Sequence, residues 1–155
     1  MANLVTLCAD DAADLQDLQK AAYANETDSE RKNLPDLNQS LDSLEAELDD
    51  PDMLCYGVRD EQGDLVAAIR SFVGPEIATV GRLCVHPESQ GQGLATYLLN
   101  EMEKQVPEGV RAMQVFTGED EVRSHRLYAK LGYVDVKHEE MDAGFTIVQL
   151  KKTLA

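Results

Sequence analysis

One short segment constrains the fold of this chain more than any other. Residues 85–96 read VHPESQGQGLAT, which has the form of a strand end, a tight turn and a helix start. Pro87 cannot continue a strand, and Gly91 and Gly93 let the backbone turn sharply with its N–H groups directed at a common point. Such a turn before a helix attracts an anion, because the helix dipole adds its positive end. The segment therefore predicts a phosphate or pyrophosphate site at a strand–helix junction.

Two common phosphate motifs do not fit this segment. The dinucleotide fingerprint needs a third glycine, which is missing at the required spacing after Gly93. The nucleotide P-loop needs a Gly-Lys-Ser or Gly-Lys-Thr sequence, and none follows. A plain turn that serves only packing therefore stays open as an alternative at this point.

Hydrophobic periodicity places the segment within a series of regular elements. Apolar residues at helical spacing predict four helices, and short apolar runs bounded by turn residues predict seven strands. The predicted helices span residues 12–25, 37–48, 94–105 and 121–131, and the predicted strands span residues 4–7, 54–58, 65–73, 77–85, 112–117, 133–136 and 145–150. No repeat or linker divides the chain, so a single domain over residues 1–155 is expected.

Charge excludes some classes of partner. The net charge is −15, which argues against nucleic acid and anionic membranes as partners. The acids are concentrated, since residues 1–64 contain 17 acidic and 4 basic side chains, against 12 and 10 in residues 65–155. Solvated helix faces would explain this, and so would a cationic ligand. The N-terminus shows no basic stretch followed by an apolar block, so we expect a cytoplasmic protein.

The cysteines predict core packing. Cys8, Cys55 and Cys84 all lie in apolar, strand-like segments, and none has the paired spacing of a zinc site. We expect three reduced and buried thiols, with a catalytic cysteine as the alternative.

The chain resembles the GNAT superfamily of N-acetyltransferases in three motifs. The cofactor signature of that family is Gln or Arg, two residues, Gly, one residue, then Gly or Ala, and Gln90, Gly93 and Ala95 fit it. The strand at residues 82–85 with the following His-Pro, and the sequence LYAKLGY at residues 127–133, resemble its flanking elements. The motifs cover residues 77–136, whereas the first 75 residues match only in the order of their elements.

The resemblance implies the fold and the acyl donor. The fold would be α/β (α+β), with a mixed, mostly antiparallel, twisted sheet of six to seven strands flanked by about four helices. The strands that end near Val85 and Thr117 would splay apart to admit a thioester. The donor would be acetyl-CoA, and no metal would take part.

By the same resemblance, the main chain would hold coenzyme A. Strand residues would pair with the pantetheine arm like an added strand, and the amides of the turn would bind the pyrophosphate. The strand residues are Leu83, Cys84 and Val85, and the turn residues are Gln90, Gly91, Gln92, Gly93, Leu94, Ala95 and Thr96.

The resemblance also implies a catalytic acid. Tyr128 would be the general acid, because a phenol with a pKa of about 10 keeps its proton at neutral pH and can donate it to a departing thiolate. Glu76 is the candidate base, with His86 and Glu119 as alternatives. Many relatives carry asparagine seven residues before the tyrosine, whereas this chain has Glu121, so that cofactor contact is not carried over.

Three functions stay open. The first is acetyl transfer to a primary amine on a small cationic molecule, which the acidic N-terminal half favours. The second is a protein or peptide acetyltransferase, and the third is a catalytically silent sensor that binds acyl-CoA. The sequence identifies neither the acceptor nor the oligomeric state, and a homodimer is compatible with it.

Overall fold

The predicted elements form one seven-stranded sheet with helices on both faces. A computed structural model describes residues 3–23, 39–141 and 144–154, with the exception of the side chains of Tyr23 and Arg82. The strands are β1 (Asn3–Thr6), β2 (Met53–Arg59), β3 (Leu65–Val73), β4 (Ile77–Val85), β5 (Ala112–Gly118), β6 (Val134–Glu140) and β7 (Thr146–Thr153). The helices are α1 (Ala12–Tyr23), α2 (Leu41–Asp49), α3 (Leu94–Gln105) and α4 (Val122–Lys130). The predicted fold class is confirmed.

The sheet has one parallel pair in its interior. The strand order is β1-β2-β3-β4-β5-β7-β6, and every neighbouring pair is antiparallel except β4 and β5. Parallel neighbours need a crossover connection, and α3 supplies it between β4 and β5. The glycine turn of residues 90–93 lies at the start of this crossover.

Two hydrophobic layers cover the two faces of the sheet. The larger layer contains Leu98 and Met102 of α3 and Tyr128 of α4. The other layer contains Leu15 of α1 and Leu44 of α2, which are both fully buried. Successive strand residues point to opposite faces, so each central strand contributes to both layers.

A buried cation lies in the α1/α2 layer. Arg70 of β3 is 2% exposed, and its guanidinium donates hydrogen bonds to side chains of three different segments. The acceptors are Gln19 of α1, Gln39 ahead of α2, and Glu47 of α2. Arg70 therefore joins both helices of this face to the sheet.

The predicted start of the second helix needs correction. The second helix begins at Leu41, because Ser40 caps it by accepting a hydrogen bond from the Ser43 N–H at 3.1 Å. Its predicted first residue, Leu37, lies outside the described residues, as do residues 24 and 25 at the predicted end of the first helix. A short 3₁₀ turn, Ala9–Asp11, leads directly into α1.

The prediction for Cys8 was also wrong. Cys55 and Cys84 are buried as expected, but Cys8 is exposed because β1 has ended at Thr6. None of the described helices is long and apolar enough to cross a membrane.

Candidate active site

The sheet opens between β4 and β5. Their parallel pairing covers Ile77–Val80 and Ala112–Val115, and within the described residues it goes no further. β4 continues to Val85 and β5 to Gly118, so both strands extend beyond their last shared pair. The expected splay between the strands that end near Val85 and Thr117 is therefore present.

A bulge in β4 coincides with the opening. Ala68 pairs with Cys84 and Arg70 pairs with Gly81, so that the two β4 residues 82 and 83 lie opposite the single residue Ile69. A bulge increases the local twist and bends the strand that carries it. β4 stays paired with β3 on both sides of the bulge, so the local bend does not detach it from the sheet.

The loop after β4 has the geometry of an anion cradle. Gly91 and Gly93 adopt positive φ angles of 82° and 77°, where side chains are disfavoured. Gly93 is the N-cap of α3, and the first backbone bond of this helix runs from the Tyr97 N–H to the Gly93 carbonyl at 3.0 Å. The amides of residues 94–96 precede that bond and are the orphan donors of the helix start. The side-chain amide of Gln90 donates to the Val85 carbonyl at 3.5 Å and folds the loop back onto β4.

These features fit the parts of coenzyme A. The loop combines donor amides with the positive end of a helix dipole, which suits a pyrophosphate. The surroundings of both glycines are open, since a Cβ at Gly91 or Gly93 would meet nothing within 4 Å. The splay adds strand edges that can pair with an extended arm carrying amides. No group of three or more His, Cys, Asp or Glu side chains in the described part of the chain could hold a metal ion.

Tyr128 lies on the same side of the sheet as α3. Its side chain is 9% exposed and belongs to the core cluster that contains Val80 and Val115, the last paired residues of β4 and β5. Leu83 and Val85 pack against that cluster from the splayed end of β4. Burial raises the pKa of Tyr128 to about 12. The structure thus brings Tyr128, the strand residues Leu83 and Val85, and the start of α3 to one cluster, whereas Cys84 belongs to the layer of α1 and α2.

The three candidate bases lie in different places. Glu76 is exposed and precedes β4, at the end where β4 and β5 are paired, so the structure does not bring it together with Tyr128. The Nδ1 of His86 accepts a hydrogen bond from the Glu88 N–H at 3.2 Å. Glu119 follows β5 directly at the splayed end, and its carboxylate lies 3.5 Å from Nδ1 of His138. The role of Glu76 as a base stays a prediction.

Sequence reasoning missed His125. Its Nε2 lies 3.1 Å from the carbonyl oxygen of Gly118, the last residue of β5. The only sequence signal is its spacing, since residues three apart on a helix share a face and His125 precedes Tyr128 by three. The partner on β5 is a backbone atom, which no pattern of side chains reveals.

Comparisons with known proteins agree with this geometry. The family model described as "Acetyltransferase (GNAT) family" matches residues 12–133. The PaiA N-acetyltransferase from Thermoplasma acidophilum, in complex with coenzyme A, is 20% identical with a TM-score of 0.79, and the match covers 99% of each chain.

Two further solved structures are similar over nearly the whole chain. The ribosomal-protein-S18-alanine N-acetyltransferase from Escherichia coli is 19% identical with a TM-score of 0.80, covering 100% of this chain and 95% of the other. A spermidine N-acetyltransferase SpeG chimera from Vibrio cholerae and hSSAT is 17% identical with a TM-score of 0.76, covering 98% and 95%. Identities of this size establish the fold and leave the acceptor open.

Proposed function

The chain belongs to the GNAT acetyltransferase family, and on that premise we propose that it transfers the acetyl group of acetyl-CoA directly to a primary amine of a small cationic molecule. It is an acyltransferase by its family, and acetyl-CoA is the donor. One observation carries the proposal for the site: Leu94 at the start of α3, the last paired residues of β4 and β5, and the buried Tyr128 belong to the same core cluster.

The main chain would hold the donor. The amides of the loop and helix start, residues 90–96, would bind the pyrophosphate, and the main-chain groups of residues 83–85 would bind the pantetheine arm. When bound, acetyl-CoA supplies a thioester carbonyl that a neutral amine can attack and a sulfur that leaves as thiolate. Held in the splay, the thioester would be reachable from the face opposite α3 and α4.

Tyr128 would assist the leaving group by donating to its sulfur. With its pKa raised to about 12 by burial, the phenol is protonated at neutral pH. The raised pKa keeps the proton on the phenol but also makes it a weaker acid than a thiol, whose ordinary pKa is about 8.5. The phenol would therefore act by donating a hydrogen bond to the sulfur as the C–S bond breaks, which stabilises the charge that develops there. A general acid of this kind contributes about 100- to 10,000-fold in rate.

The base is a separate question. An alkylamine with a pKa of about 10.4 must lose a proton before it attacks. Of the candidates, Glu119 has the position beside the open end of the splay, whereas Glu76 lies at the paired end. Glu76 stays the candidate base from the sequence, and Glu119 is the candidate that the geometry favours. The rates of the variants Glu76→Gln and Glu119→Gln distinguish the two, because only loss of the base should slow the reaction.

Charge supports a cationic acceptor. A cleft of about 300 Å³ lies between α1, the β2–β3 turn and the loop after β4. Its wall contains five carboxylates, from Asp14, Asp17, Asp60, Asp64 and Glu88. Acidic side chains gathered in a concavity raise the local concentration of cations, which assists the approach of a polyamine or a similar substrate.

The test is thiol release from acetyl-CoA with a panel of polyamines, aminoglycosides, amino acids, arylamines and lysine peptides. The wild type is compared with Tyr128→Phe and with Tyr133→Phe, which removes another buried phenol, 4.0 Å from the sulfur of Met113. We expect release with a cationic amine that falls at least about 100-fold in Tyr128→Phe and changes little in Tyr133→Phe.

The other possible outcomes of this assay would support a different function or refute the site. Release with lysine peptides alone would identify a protein acetyltransferase. Binding of acetyl-CoA without release for any amine would support the silent sensor, and the absence of binding would refute the cofactor site.

A further inference from the structure

Two hydrogen bonds converge on the carbonyl oxygen at the end of β5. The Gly118 carbonyl accepts from the Glu121 N–H at 3.0 Å and from Nε2 of His125 at 3.1 Å. A carbonyl oxygen can only accept, so the contact requires the hydrogen of the imidazole to be on Nε2. The last residue of β5 is thereby connected to both the turn that precedes α4 and the second turn of α4 itself.

Within α4, the hydrogen bond of His125 differs from the contacts of the other side chains. Among the described residues, no other side chain of α4 forms a hydrogen bond or an ion pair with another element. The basic side chains of this helix, Arg123, Arg126 and Lys130, are exposed. The imidazole therefore provides the side-chain hydrogen bond that connects α4 to the splayed end of β5.

Tyr128 lies between this restraint and a second one. It follows His125 by three residues, so the two side chains share one face of α4 and are separated by about 4.5 Å along the helix axis. On its other side, the Tyr128 carbonyl accepts from the Tyr133 N–H at 2.9 Å, and the two rings meet edge to face with centroids 5.5 Å apart. Without His125, the Glu121 N–H alone among the described donors would connect the N-terminal end of α4 to Gly118. The contacts with Tyr133 would still hold the C-terminal side of Tyr128.

We propose that His125 is a positioning residue, whose hydrogen bond to the Gly118 carbonyl holds the Tyr128 hydroxyl in the orientation needed to donate a hydrogen bond to the leaving sulfur. The inference rests on the proposed role of Tyr128 as the acid. Loss of the bond would let α4 rotate, which moves the hydroxyl while leaving the glycine cradle on α3 intact. A displacement of about 1 Å in such a group costs up to about 100-fold in rate.

The variants His125→Gln and His125→Asn form a matched pair. Both carry an amide donor, but only the glutamine side chain approaches the length needed to reach the position of the imidazole Nε2. A structural readout on the free protein comes first: NMR of protein labelled at the tyrosine rings, where there are five tyrosines and the resonance lost in Tyr128→Phe is that of Tyr128. We expect His125→Gln to keep the Tyr128 resonance near its wild-type position and His125→Asn to shift or broaden it.

Kinetics complete the test. In His125→Asn, kcat should fall by about 10- to 100-fold while the Kd for coenzyme A stays within about twofold, and His125→Gln should recover most of the rate. The double variant His125→Asn/Tyr128→Phe should be no slower than Tyr128→Phe, because a residue that acts through Tyr128 has no further effect once the hydroxyl is gone.

Several results would overturn the inference. It is wrong if the Tyr128 resonance is unchanged in His125→Asn, if the two losses in kcat multiply, or if Gln and Asn behave alike. A wild type that turns over no amine would refute the proposed function instead, and the NMR comparison would still decide whether His125 sets the position of Tyr128. Full activity in Tyr128→Phe would refute the acid role, and the catalytic part of the inference would fall with it.

Discussion

Replacing Gly93 by alanine separates a binding loop from a plain turn. Gly93 is the N-cap of α3 at φ 77° and ψ 16°, and a Cβ there would meet nothing within 4 Å. Alanine therefore has room, and the cost of the substitution is conformational. Gly63, in the turn between β2 and β3, has φ 86° and equally open surroundings, which makes Gly63→Ala a matched control.

The two substitutions should cost similar stability and different affinity. A residue with a side chain pays about 1–2 kcal/mol in the left-handed region, so each variant should melt about 2–8 °C below the wild type. In Gly93→Ala, relaxation towards negative φ would also turn the amides of the cradle away from their common point. The loss of one hydrogen bond to a charged phosphate, worth about 1.5–3 kcal/mol, would raise the Kd for coenzyme A by about 10- to 150-fold.

Calorimetric titration with coenzyme A and thermal unfolding, applied to all three proteins, give both quantities. The cradle is refuted as a binding element if Gly93→Ala loses stability but keeps the wild-type Kd. If Gly63→Ala weakens binding as much as Gly93→Ala does, the effect is a general consequence of destabilisation and the reasoning fails.

Three further outcomes follow from buried groups. Arg70→Met should lower the free energy of unfolding, measured in urea, by about 3–5 kcal/mol, because it leaves buried polar partners without their cation. The control Arg59→Met breaks ion pairs that are partly exposed and should cost about 1 kcal/mol or less. Ellman's reagent at pH 8 should rapidly label one thiol of the native chain, that of the exposed Cys8. Cys55 and Cys84 are buried, and burial raises the pKa of Cys84 to about 12, so these thiols should react slowly. The variant Cys8→Ser should abolish the fast phase. The pH profile of kcat should show no fall up to pH 10 that depends on Tyr128, because the raised pKa of the phenol keeps it protonated there. A fall centred near the ordinary phenol pKa of about 10 would contradict the burial of this side chain.

Elements bounded by Pro and Gly could be predicted residue by residue. β3, β4 and α3 have the ends expected from the sequence, since Gly74-Pro75, His86-Pro87 and Gly93 interrupt the pattern at each boundary. β6 was predicted to end at residue 136, but it continues to Glu140. All seven of its residues are exposed, so no alternation of apolar and polar positions marks the end of this edge strand.

The predictability of the site follows the same division between local and distant contacts. The glycine cradle is local, because φ requirements and the helix start are written in consecutive residues. The hydrogen bond from His125 to Gly118 and the partners of Arg70 depend on how elements pack, with Gln19 lying 51 residues from Arg70 in the chain. The resemblance to relatives located Tyr128, but it carried no information on what holds α4 in place.

The gap between β4 and β5 shows how the fold can be open at its centre and still hold together. Each strand keeps an antiparallel partner on its outer edge, β3 for β4 with one bulge and β7 for β5, so the separation costs the pairing of only one edge of each. The N–H and C=O groups freed along that edge need hydrogen bonds from water or from a ligand, since leaving them unsatisfied costs about 1–3 kcal/mol each. An extended donor arm with amide groups would satisfy them and place its thioester against the face on which Tyr128 is buried. The same interruption of the sheet would therefore provide both the binding surface for the donor and the passage through which an amine reaches it.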